Sequence, residues 1–133
     1  MIKVETLGML DIAKINPVLK SEEDVKNYSF LTADGILYLI SNTVVGDDAY
    51  LKDVVIPAGD FLNGYQVDAW VGQKLVIDGK HIEGGVAALH VGDALVVAED
   101  GGLKAGDAAG VHFVVTDKTT LTEAAVKARV AVA

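Results

Sequence analysis

Short apolar runs interrupted by glycine-aspartate pairs set the pattern of this chain. Residues 86–97, VAALHVGDALVV, show it in miniature: an apolar run, Gly92-Asp93, then a second apolar run. The same punctuation recurs at Gly59-Asp60 and Gly106-Asp107. Glycine reaches φ > 0 and aspartate bonds the backbone of its own turn, so each pair predicts a tight turn. Strands are expected over 36–40, 51–56, 65–70, 75–77, 86–91, 94–98 and 111–116. Ala33-Asp34-Gly35 marks a hairpin, and Asn63-Gly64 and Asp78-Gly79 mark further turns. Residues 2–7 alternate, with Ile2, Val4 and Thr6 opposite Lys3 and Glu5. That pattern fits a half-buried strand or an arm that joins another sheet.

One short helix is expected over 21–29, where Ser21 precedes Glu22, Glu23 and Asp24 in the favourable first turn. The segment 41–50, SNTVVGDDAY, reads as a long exposed loop. At the other end two patterns compete. Thr120 and Glu123 match a capping box, yet from Ala124 onward apolar positions alternate with Lys127 and Arg129. The period of two favours a strand from Ala125, preceded at most by one helical turn. The fold expected is mainly β: a compact antiparallel β-barrel or β-sandwich with one short helix, spanning 1–133 as one domain. Residues 1–8 are a candidate assembly arm, and both ends read as edge strands, which motivates a homo-oligomer or docking onto a larger assembly.

Composition narrows the function classes. The 133 residues are 51% apolar and only 23% charged, enough to build a core without metals or disulfides. Nineteen acidic against 11 basic residues give a net charge of -8, which opposes a phosphate backbone and an anionic bilayer. No nucleic acid and no membrane is expected as a partner. The absence of cysteine removes thiol catalysis and thiolate metal sites from this chain.

Candidate chemistry is sparse. His81 near Asp78 and Glu83 is the one grouping a small hydrolase could use, while His90 and His112 sit in expected strands and would approach only if those strands paired. None of these has a repeated metal-ligand spacing, and Asp47-Asp48, Asp93 and Asp107 read as turn residues rather than calcium or acid-base groups. No catalytic residue, metal or cofactor is assigned. Tyr65 and Trp70 fall on opposite faces of one expected strand. Trp70 shares its face with Gln66 and Asp68, which makes it a recognition candidate for a carbohydrate-binding or adhesin module, although a large ring also suits the end of a barrel.

Three segments, GMLDIAKINPVLKS, IPAGDFLNGYQVDAW and TDKTTLTEAAVKARVAV, give the chain a style that resembles small structural proteins of tailed-bacteriophage heads, above all capsid decoration proteins. The resemblance implies a non-enzymatic virion protein, assembled in the host cytoplasm, whose partner is the outer lattice of the major capsid protein and which often oligomerises. It transfers no functional residue. The interface candidates are therefore read from the chain itself: Ile2 and Val4 in the leading arm, Asp47 in the middle loop, and Trp70.

Overall fold

The computed structural model describes residues 2–4, 15–42, 54–119 and 125–133. Among the described residues the strands are β1 (Ile2–Val4), β2 (Ile15–Lys20), β3 (Val25–Lys26), β4 (Ser29–Ala33), β5 (Ile36–Ile40), β6 (Val55–Ile56), β7 (Phe61–Gln66), β8 (Lys74–Asp78), β9 (Ala94–Val97), β10 (Leu103–Ala105), β11 (Val111–Thr119) and β12 (Ala125–Val132). They form a six-stranded sheet ordered β1-β8-β12-β11-β9-β10, a four-stranded sheet ordered β2-β7-β5-β4, and the pair β3-β6. Every strand ladder is antiparallel, and one sheet curls into a half-barrel. The mainly-β antiparallel expectation is therefore met.

The four-stranded sheet is the middle layer. Phe30, Leu39 and Tyr65 point from it into a core shared with Leu75, Ile77, Leu95, Phe113 and Val126 of the six-stranded sheet. Tyr38, Ile40 and Leu62 point the other way, onto Leu19, Val25 and Ile56. A strand covered on both faces must be apolar at successive positions, and β5 reads ILYLI. The Phe30 and Phe113 rings meet at 5.1 Å and 52°, a tilted pair that joins the two large sheets.

Several local expectations hold in detail. Asp34 and Gly35 have φ of 52° and 77°, the left-handed pair a two-residue hairpin needs between β4 and β5. β12 begins at Ala125, with Val126, Ala128 and Val130 buried and Arg129 exposed. Of the strand expected over 51–56, only Val55–Ile56 falls among the described residues as a strand. The helical turn considered before Ala125 lies outside them.

Other expectations are corrected. No α-helix occurs among the described residues, only 3-10 turns at Val67–Trp70 and Gly79–His81. Within 21–29, the Ser21 hydroxyl accepts the Glu23 amide at 3.2 Å, a local turn rather than a helix cap. Val25 and Lys26 then pair with Ile56 and Val55, so tertiary pairing decides this stretch. Asn63-Gly64 is not a turn but the middle of β7, where a Cβ on Gly64 would stand 3.0 Å from both Leu19 Cδ2 and Tyr38 Cδ1. Glycine is needed there because the Tyr38 ring lies against the backbone. Of the two ends expected to be edge strands, only β1 is an edge among the described residues, whereas β12 lies between β8 and β11.

The stretch 86–91 is likewise not a strand. Val86 and Leu89 are buried while Ala87, Ala88, His90 and Val91 are exposed, a spacing of three that fits turns and not a pleat. The Leu89 amide bonds the Val86 carbonyl at 3.1 Å. Lys118 of β11 fixes this loop from outside, its ammonium donating to the carbonyls of Leu89 (2.6 Å), Ala87 (3.3 Å) and Val86 (3.5 Å). Charged donors make the stronger hydrogen bonds, and these serve carbonyls that no ladder uses.

Two measurements check this packing. Gly64→Ala should destabilise the fold by about 1–3 kcal/mol in denaturant unfolding, because the added methyl overpacks a filled site. Lys118→Met should cost about 1 kcal/mol and speed amide exchange chiefly within 86–92, leaving the strands protected.

Candidate functional site

The described interface candidates from the sequence are buried or paired within the chain's own sheet. Ile2 is 1% exposed and pairs with Ile77 inside the chain's own sheet, and Val4 pairs with Leu75. Of this segment, Ile2–Val4 is a strand of the chain's own sheet, and residues 5–7 lie outside the described residues. Asp47 lies outside the described residues. Trp70, taken as a recognition candidate, is 1% exposed. The strand ends at Gln66, and the 3-10 turn that follows brings Val67 and Trp70 onto one inward side, since residues three apart eclipse in that geometry. Tyr65 and Trp70 thus stack, with centroids 5.8 Å apart and planes at 27°, instead of occupying opposite faces.

The histidines are dispersed. His90 sits on the exposed turn, Nδ1 3.8 Å from Asp93 Oδ2, so the strand pairing that would have brought it to His112 does not form. His112 is buried in β11, with Nδ1 3.0 Å from the Gly110 carbonyl. No group of three metal-ligating side chains occurs among the described residues.

What sequence reasoning missed is a polar cleft of about 140 Å³ where the turn between β3 and β4 faces the 3-10 turn after β8. Lys26, Asn27, Tyr28, Ser29, His81 and Glu83 are among its lining residues. Tyr28 has φ of 57°, a left-handed backbone that costs an aromatic residue energy and persists only where neighbours hold it. They do: its amide donates to the Ile40 carbonyl at 2.8 Å, and its ring lies 6.2 Å from that of His81. Gly101 is pressed against Ser29 and Phe30 on the adjoining side, its carbonyl accepting the Phe30 amide at 2.7 Å.

Three asparagines brace this cleft. Asn27 is buried; its side chain accepts the Asn42 amide at 2.8 Å and donates to the Asn42 carbonyl at 3.2 Å. Asn42 in turn accepts the Asn63 amide at 2.6 Å and donates to the Phe61 carbonyl at 3.0 Å, and Asn63 reaches the Ser41 carbonyl at 3.2 Å. The relay links the turn after β3 to the end of β5 and to β7 by side-chain bonds to backbone groups. Of the hydrolase grouping, His81 and Glu83 line the cleft and Asp78 closes β8 before it. Ammonium, imidazole, phenol and carboxylate groups gathered in one hollow suit binding of a small polar ligand.

A second hollow of about 450 Å³ lies between the β4-β5 hairpin and the β9 and β11 side of the larger sheet. Leu37, Val97 and Val111 line it and back onto the main core. Outside both hollows, on β11, the Asp117 carboxyl lies below its ordinary value because it accepts from the Thr116 hydroxyl at 2.9 Å and then from the Lys74 ammonium at 3.4 Å. No family model matches this chain, and neither curated proteins nor solved structures give a match.

The Asp117 arrangement fixes the sign of a pH effect. A carboxyl whose pKa is lower folded than unfolded contributes stability above its unfolded pKa and loses it as pH falls through the folded one. Asp117→Asn should therefore lower the melting point slightly at neutral pH. That difference should vanish in thermal scans below the carboxylate range.

Proposed function

We propose that this protein is a non-enzymatic virion structural protein that attaches to the assembled capsid, by way of the major capsid protein, and stabilises or covers the shell. The observation that carries the reading is where the side chains are placed: the large aromatic and branched residues fill two cores, while separate apolar groups remain outside. Phe61, Val91 and Val132 are 57%, 66% and 58% exposed, and Lys20 sits 4.3 Å over the Phe61 ring. An interlocked β body with apolar contact points and an acidic surface is suited to docking on a larger basic surface. The sequence resemblance to phage-head decoration proteins points to the same partner. Attachment in the host cytoplasm, as a subunit or small homo-oligomer, would shift the shell's equilibrium away from disassembly.

A second reading has its own support. Carbohydrate binding no longer has Trp70 as its platform, but the cleft between Tyr28 and His81 offers rings beside hydrogen-bonding groups, the combination a polar ring such as a sugar requires.

Mixing the purified protein with empty mature capsids and with unassembled capsid subunits separates the two. Saturable, stoichiometric attachment to assembled shells, with raised resistance to disruption, is the expected outcome. No attachment by folded protein across a broad salt range, together with binding of soluble glycans that Tyr28→Ala weakens, would replace decoration with the carbohydrate reading.

A further inference from the structure

Among the described residues, β4 and β10 are edges of the two larger sheets, and no ladder joins them. They are tied at one end, where the Phe30 amide of β4 donates to the carbonyl of Gly101, two residues before β10 begins, at 2.7 Å. Beyond that tie the 450 Å³ groove opens, with Thr32, Ile36 and Leu37 contributed by the four-stranded sheet and Val96, Val97 and Val111 by the six-stranded sheet. Asp68 and Asp107 also line it, and none of its lining residues is basic.

The β4 backbone supplies the decisive feature. Successive residues of an antiparallel strand direct their amides alternately toward and away from the paired strand. Phe30 faces away from β5, as its bond to Gly101 shows, so Thr32 faces away too. No partner among the described residues meets the Thr32 amide or carbonyl, and its side chain is exposed. An open edge bordering an apolar groove is a template for one more strand.

We propose that this groove is a strand-addition site for an extended segment of a partner protein, one that alternates apolar and basic residues. The segment pairs with β4 at Thr32, seats its apolar side chains against Leu37, Val97 and Val111, and places a basic side chain beside Asp68 or Asp107. This inference goes beyond capsid attachment and does not depend on it, since the partner is specified by its chemistry alone. A second copy of this chain is a poorer occupant. Its own alternating basic stretch around Lys127 and Arg129 is held in β12 between two neighbours.

The test uses the full chain and two synthetic peptides, one alternating valine with lysine and one alternating valine with glutamate. The lysine peptide should bind saturably by calorimetry and at least about tenfold more tightly than the glutamate peptide. It should also slow hydrogen exchange at the Thr32 amide. Thr32→Pro removes only an outward amide, which edge strands tolerate, and should abolish binding with the net charge unchanged. Asp68→Asn combined with Asp107→Asn should weaken the lysine peptide several-fold and flatten its salt dependence. If Thr32→Pro unfolds the protein, exchange at the Thr32 amide of the natural sequence decides alone. Absence of binding, binding that leaves this amide unprotected, or binding that survives Thr32→Pro in folded protein would overturn the proposal. Self-association through the same edge without peptide, detected by sedimentation, would assign the groove to a second copy and overturn it equally.

Discussion

Burial of the four-stranded sheet on both of its faces is the constraint from which the remaining architecture follows. A sheet with two apolar faces needs two covers, so the six-stranded sheet packs on one side and Val25 and Ile56 of the small β3-β6 pair pack on the other. Close packing then dictates individual residues. Tyr38 lies over the backbone at Gly64, Phe30 meets Phe113 across the larger interface, and Trp70 turns inward against Tyr65. Each places a bulky side chain where a neighbour has left room, which is how interiors reach the density of organic solids.

The same constraint explains what was readable in the chain and what was not. Strands whose apolar positions alternate or run continuously were legible, including β5, β9, β11 and β12, because period and burial agree there. The Asp34-Gly35 hairpin was legible because its backbone angles restrict the residue types available. Asn63-Gly64 carries the same residue signature, yet its glycine answers a steric demand from Tyr38, a residue 26 positions away, since 64 minus 38 is 26. Likewise 86–91 has the composition of a strand and the burial spacing of a turn, because Lys118 caps its carbonyls from a distant strand. Non-local contacts overrode local preference in both cases.

The polar cleft was illegible for a related reason. Its asparagines stand at 27, 42 and 63, too far apart to suggest a group, and each alone resembles an ordinary turn residue. Only the pairing of β5 with β7, and the approach of the turn after β3 to the end of β5, makes them neighbours. His81 and Glu83 were noticed together because they are close in sequence, but the ring that faces His81 comes from Tyr28, a residue marked by its backbone angle rather than by any motif.

The central place of β12 bears on how the protein is made. Within the six-stranded sheet, β1 and β8 reach β11, β9 and β10 only through β12, which follows all of them in the chain. Until β12 leaves the ribosome, β8 and β11 each carry an unpaired edge, and the apolar side chains Leu75, Ile77, Phe113 and Val115 lack part of their cover. Sheets closed by such late, long-range pairing form slowly, and their waiting edges attract other chains. During synthesis, then, the interval between the emergence of β11 and the docking of β12 is the one in which these two edges stand open to other chains.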